Sequence, residues 1–184
     1  HDTMLLPSGL IADGRWRQDD GTLRMEKHVY TYCQGVALGA QLEVYRATGE
    51  PRFLERMDAL VTAVAEQLCP GGVIKGRGGG DGGLFAGILA RNLALIATDL
   101  PGTGEVAGSV RARAAALVLT SADAAWRNRA KASGRPVFGA DWDAPATMPT
   151  AAGTAGRFSG GAVGSSSIPE RDLSVQISGA MLLT

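Results

Sequence analysis

The chain has 184 residues, 45% of them hydrophobic, and 18 basic against 18 acidic side chains give a formal net charge of zero. That size allows one sizeable core, and the charge balance leaves no electrostatic reason to seek nucleic acid or an anionic membrane. No apolar stretch of about 20 residues escapes polar interruption, so no membrane span is expected, and His1-Asp2-Thr3 is not the basic start of a secretory signal.

Near the start, Trp16 has no role that its neighbours decide, and Asp19-Asp20, between Gln18 and Gly21, reads as a polar turn. His28 stands at the start of the next helix, where a capping or surface position is favoured over an acid–base role. The segment from Val29 to Tyr45 carries Tyr30, Tyr32, Cys33, Val36, Leu38, Leu42 and Val44 with no broad polar face, and a helix apolar all round belongs to an interior layer. Thr48 and Gly49 give a stop signal, and Pro51 can open the next helix. There Phe53, Met57, Leu60, Val61, Val64 and Leu68 recur at helical spacing opposite Arg52, Glu55, Arg56 and Glu66, so this helix has one face in water.

The alternation repeats. Leu84 to Ala97 is apolar nearly all round, apart from Arg91 and Asn92. Glu105 to Lys131 is amphipathic, with Val106, Val110, Ala114, Leu117 and Trp126 assigned to the core. Asp172 to Leu183 suits a third inner helix, with Asp172 or Ser174 available to cap it. No period-2 run is long enough to predict a strand. Glycines cluster at Gly71–Gly83, where the loop closes on Asp81, and again within Ala144–Ser167, a long small-residue stretch for which mobility is expected. Two cysteines, Cys33 and Cys69, make neither a disulfide scaffold nor a metal cluster. With His1 and His28 the only histidines, no protein-built zinc site is expected.

Inner and outer helices in alternation describe an α/α toroid, and four segments make the likeness specific. YTYCQGVALGAQLEVYRATGEPRFL at Tyr30–Leu54 resembles the YTYNQG-V-LG-L-ELYRATGD-RYL segment of glycoside hydrolase family 76, the endo-α-1,6-mannanases. GGDGGLFAGILARNL at Gly79–Leu93 is similar to that family's GGDG-QFKGIF-R-L, and FGADWDAP at Phe138–Pro145 and DLSVQISGAMLL at Asp172–Leu183 continue the match in order. SGLIADG at Ser8–Gly14 resembles the stretch that precedes the family's YTYNQG helix.

The resemblance implies an all-α fold, an (α/α)6 toroid of six hairpins, with only about half of its helices in this single 184-residue domain, corresponding to the C-terminal half. It implies hydrolysis of α-1,6-linked mannan by a retaining two-aspartate mechanism, with no cofactor. The family's catalytic pair stands in a YWDD-type motif that this chain lacks, and Asp19-Asp20 has none of its aromatic or helical setting. The chain is then expected to supply cleft residues, to contain no catalytic residue, and to be inert alone. Carried over position by position, Tyr32, Gln34, Asp81 and Phe85 are the candidate substrate-binding residues.

Each has a structural alternative: Tyr32 can pack between helices, Gln34 can satisfy a backbone carbonyl, and Asp81 can cap the helix that follows. Trp142 is assigned to packing ahead of sugar contact. Cys33, Leu84 and Ala86 replace the family's Asn, Gln and Lys, which implies weakened or altered mannan binding. The expected partners are mannan or a mannooligosaccharide, and either the missing N-terminal half or a second copy to cover the apolar flanks that half a toroid would leave. A non-catalytic mannan-binding pseudoenzyme and a helical scaffold are the competing classes, since fold does not fix function. The compartment is not indicated.

Overall fold

A computed structural model describes residues 3–150 and 152–184. His1 and Asp2, at the start for which no signal pattern was expected, and Ala151, from the segment expected to be mobile, lie outside the described residues. Five helices build the core: α1 (Thr31–Thr48), α2 (Pro51–Leu68), α3 (Phe85–Asp99), α4 (Glu105–Asn128) and α5 (Leu173–Leu183). α3 lies between α1 and α5, forming an inner row. α2 and α4 pack against each other and against that row from outside.

The layers follow from composition. α2 turns Met57, Leu60, Val61 and Val64 inward onto Leu38 and Leu42 of α1, while Arg52, Glu55 and Glu66 stay in water or at its edge. Leu89, Leu93 and Ile96 of α3 join the same cluster, met by Val110, Ala114 and Leu117 of α4. The inner row is close-packed because side chains are missing where its helices touch. A Cβ on Gly35 of α1 would lie 2.8 Å from the Leu89 Cα of α3, and one on Gly87 of α3 would lie 2.7 Å from the Ser178 Cα of α5. The Gly87 N–H, in the first turn of α3 and so without an intrahelical acceptor, donates instead to the Ser178 Oγ at 2.8 Å. Gly49 ends α1 in the left-handed conformation with φ 68°, its N–H returning to the Tyr45 carbonyl at 2.8 Å.

Three differences from the sequence expectations have identifiable causes. Short antiparallel hairpins occur although no strand was expected: β1 (Gly14–Arg17) with β2 (Leu23–Glu26), β3 (Ala130–Ala132) with β4 (Arg135–Val137), and β5 (Phe158–Ser159) with β6 (Ala162–Val163). Each is two to four residues long, too short for alternation to be visible. The fourth helix stops at Asn128 rather than Lys131, because Ser133 and Gly134, both with positive φ, form a tight turn that draws Ala130–Ala132 into a strand. Trp126, assigned to the core, is 47% exposed with the Arg129 guanidinium 3.7 Å from its ring centroid, and Val106 is also exposed. Trp142 is buried, and the side-chain amide of Asn128 donates to its carbonyl at 2.9 Å.

Segment 144–167 makes hydrogen bonds among its described residues and to the turn that holds Asp81. Thr154 and Gly156 donate their N–H groups to the hydroxyls of Ser167 and Ser166, and the β5–β6 hairpin reaches back to the glycine-rich turn. Among the described residues no helix is long and apolar enough to cross a membrane.

Candidate functional site

The N-terminal ends of α1 and α3 lie side by side, and their side chains gather aromatic rings. Tyr30, the last extended residue before α1, stacks with His28 and with Tyr32, each pair 6.0 Å between centroids and 16° between planes. Phe85, first residue of α3, tilts against both tyrosines, 4.6 Å from Tyr32 and 5.3 Å from Tyr30. The Arg77 guanidinium lies 5.0 Å from the Tyr30 centroid, a cation over the electron-rich face of the ring. Tyr30, Arg77, Phe85 and Lys75 line a cavity of about 230 Å³.

A carboxylate edges this group. Asp13 Oδ1 accepts the Tyr32 hydroxyl and, at 3.4 Å, the Cys33 thiol. The hydrogen bond to Asp13, with burial added, raises the Tyr32 hydroxyl well above the usual phenol range, so it stays protonated and donating. Burial, reinforced by the same carboxylate, pushes the Cys33 thiol up to about 11; at neutral pH it is no nucleophile. Cys69 is likewise lifted by burial, to about 12. Both cysteines are free, and no group of residues able to hold a metal occurs among the described residues.

Gln34 explains why Asp13 is where it is. Its side chain is 0% exposed, with Nε2 donating to the carbonyls of Ile11 and Tyr30 at 2.9 Å each while Oε1 accepts the Ile11 N–H at 2.7 Å. All its hydrogen-bonding reach goes to backbone, the structural alternative left open above, and it fastens the Leu10–Asp13 segment to the head of α1. Asp13 was not singled out in the sequence. Only the Asp-Gly step at its end marked it, and nothing local says that it will meet a side chain 19 positions away.

Of the four candidates, Tyr32 and Phe85 touch, and Gln34 lies in the first turn of α1 with its amide on backbone groups. Asp81 instead sits in the turn Gly80–Leu84 and accepts the Val163 N–H at 2.9 Å from the β5–β6 hairpin, so it neither caps α3 nor joins the aromatic group. His28 caps nothing; its N–H and Nδ1 meet Glu26, and the ring is exposed. Ala86 is 4% exposed, so that position lies in the core and not on a cleft wall.

Beside Asp81, Asp172 binds the same hairpin loop. Asp172 Oδ2 accepts the N–H groups of Gly80 at 2.7 Å and Ser166 at 3.0 Å, and Oδ1 accepts the Ser166 hydroxyl. Burial pushes its acidity the other way, but these bonds and neighbouring Arg171 prevail and hold the carboxyl below its usual range. The side chain expected to cap α5 is thus engaged across the loop.

Two rows of helices in this alternation are the architecture of an α/α toroid, and the comparisons with known proteins place the chain within it. The sequence model of glycosyl hydrolase family 76 matches residues 2–169, and the chain belongs to that family. Similar solved structures include the α-1,6-mannanase of Salegentibacter sp. HEL1_6, 31% identical with a TM-score of 0.74. An inactive variant of that enzyme with two aspartates replaced by asparagine, in complex with α-1,6-mannotriose, is 30% identical at the same TM-score. In both cases the match covers 99% of this chain and 47% of the other. The Lin0763 protein from Listeria innocua is 28% identical with a TM-score of 0.68, over 99% of this chain and 43% of its own. This chain thus spans about half the length of the structures it matches. No curated protein sequence matches it.

Proposed function

We propose that this chain forms one arc of the cleft of a glycoside hydrolase acting on α-1,6-linked mannan, with the catalytic aspartates carried outside its 184 residues. The observation that carries the reading is the aromatic group Tyr30, Tyr32 and Phe85 edged by Asp13 at the head of two inner helices, in a chain of this family. Aromatic faces suit the apolar side of a mannose ring, and the Asp13 Oδ2, which makes no hydrogen bond among the described residues, can accept a sugar hydroxyl. Support for excluding a catalytic pair here comes from Asp19 and Asp20. They occupy the exposed β1–β2 turn, where Asp20 accepts the Thr22 N–H at 2.9 Å and hydroxyl at 2.6 Å. Those bonds hold the Asp20 pKa below its usual value, whereas a glycosidase acid needs the opposite shift.

In a retaining mechanism two carboxyl groups about 5–5.5 Å apart act as nucleophile and acid through an oxocarbenium-like transition state. The residues here would bind and orient the sugar beside them. The test is to express the complete reading frame and assay release of reducing ends from α-1,6-mannan, together with binding of α-1,6-mannotriose. Hydrolysis is expected, and Phe85→Ala should weaken mannotriose binding about tenfold, a change of about 1.4 kcal/mol. Protein that neither cleaves nor binds the mannan defeats the reading. Binding without cleavage would move it to the pseudoenzyme class, although the buried position of Ala86 removes one of the sequence departures that favoured that class.

A further inference from the structure

Two cations stand at the edge of the aromatic group with no anion bonded to them among the described residues. Lys75 and Arg77 are exposed, and neither side chain forms a hydrogen bond or an ion pair there. Asp141 comes close, with its Oδ1 2.8 Å from where a Cβ on Gly76 would stand, yet it pairs with neither. Both cations line the cavity of about 230 Å³, and so does Thr31 of α1, which is 7% exposed. The Thr31 hydroxyl also lacks a hydrogen-bond partner among the described residues, a rare state for so enclosed a group. It stands at the first position of α1, a helix with no side-chain cap and no acid in its first turn. The leading N–H groups of a helix have no acceptor inside it and carry partial positive charge. Asp13 meets the Tyr32 and Cys33 side chains and does not line this cavity.

We propose that this cavity binds a phosphate group. In a chain read as part of a mannan cleft the carrier is a phosphorylated mannoside, and that part of the inference rests on the reading above. Lying 5.0 Å from the Tyr30 centroid, the Arg77 guanidinium has its N–H donors unclaimed, a fork suited to two oxygens of one anion. Lys75 adds a compact charge, and Thr31 adds a hydroxyl beside the open N–H groups of a helix start, where anions are favoured. Three kinds of donor thus converge from two elements, the loop before α3 and the head of α1. A carboxylate has two oxygens to share among them, whereas a phosphate ester offers three and carries more charge. Tyr30 and Phe85 belong both to this cavity and to the aromatic group, so a sugar lying on those rings would hold its phosphate within reach of Lys75 and Arg77. Two exposed cations alone would be a solvated surface; the concave wall and the enclosed, unpaired hydroxyl distinguish this place from one.

The test is calorimetric titration of the complete reading-frame product at low ionic strength with mannose 6-phosphate, mannose, inorganic phosphate and α-1,6-mannotriose. Mannose 6-phosphate is expected to bind about tenfold tighter than mannose or more, by a margin that shrinks as salt is raised. Lys75→Met combined with Arg77→Gln should abolish the margin, and Thr31→Val, which removes only the hydroxyl, should cut it about threefold. If the double substitution does not fold, Lys75→Met alone decides, because that side chain is exposed and its loss should still cut the margin about threefold. Equal binding of mannose and mannose 6-phosphate, or a margin that survives these lysine and arginine substitutions, overturns the proposal. Inorganic phosphate that binds as tightly as mannose 6-phosphate, and loses that binding in the substituted protein, supports the pocket with free phosphate as its occupant. Phosphate-dependent binding in a protein that binds no mannotriose would remove the mannan reading and leave the phosphate pocket standing.

Discussion

The inner row of helices and the strap over residues 152–168 are fastened in contrasting ways. At the contacts of α1, α3 and α5 the helices approach until backbone meets backbone, Gly35 against Leu89 and Gly87 against Ser178, over a core of Leu38, Leu89 and Leu93. The strap buries almost none of its large apolar side chains: Phe158 is 74% exposed and Val163 is also open to water. It is pinned by Asp81 at Val163 and by Asp172 at Ser166. The first region depends on shape and is indifferent to charge, while the second depends on hydrogen bonds to carboxylates, with that of Asp172 held ionised below the usual range. A substitution that adds volume should therefore damage the row, and acid should damage the strap.

Gly35→Val sharpens the comparison most. The obstacle is the Leu89 Cα at 2.8 Å and the Ile88 carbonyl oxygen at 3.0 Å, backbone atoms that cannot rotate aside, so α1 and α3 must separate along the core. A destabilisation of about 3 kcal/mol, the upper end for overpacking, corresponds to a fall in Tm of roughly 6–12 °C for a chain of this size. Calorimetry showing a fall of only a degree or two would mean that the row is looser than its contacts indicate.

Sequence patterning showed the row far better than the strap or the site. The helical period of Met57, Leu60, Val61 and Val64 and the all-apolar run of α1 are local signals, and α2 starts at Pro51 as its proline suggested. Tyr32 and Phe85 were found through the family resemblance, and they do touch. Asp13 and the strap contacts were not legible, because the Asp13–Tyr32 and Asp172–Gly80 bonds join residues 19 and 92 positions apart and leave no periodicity. Trp126 misled for the reverse reason: its spacing puts it near the buried stripe, but at the last turn of α4 it stays half exposed, and Arg129 takes the ring face.

Asp172 tests the other side of the comparison. Its carboxyl is held below the usual range in the folded chain, so its contribution is complete above about pH 4 and is lost as pH falls through the lowered value. Asp172→Asn puts an amide donor among donors from Gly80 and Ser166 and removes the charge. The expected cost is about 1–2 kcal/mol, the lower part of the range for bonds to a charged group because the site is partly open to solvent. In hydrogen exchange the Ser166 and Gly80 amides should lose protection, and the substituted chain should lack the part of the acid loss of stability that the carboxylate contributes. Protection unchanged in those two amides would show that the strap is held by something other than Asp172.

The smallest effect is expected at Asp20, and its smallness is informative. Asp20 is exposed at the tip of the β1–β2 hairpin and its bonds are local, to Thr22 alone. Asp20→Ala removes a turn contact that water replaces, so Tm should move by no more than about 1 °C. In the complete reading-frame product, mannan cleavage should be unchanged, because a carboxyl with its pKa lowered in a solvated turn can supply neither a raised-pKa acid nor an enclosed nucleophile. A loss of cleavage of a hundredfold or more with Tm intact would put this hairpin at the reacting bond and overturn the placement of the catalytic pair outside the chain.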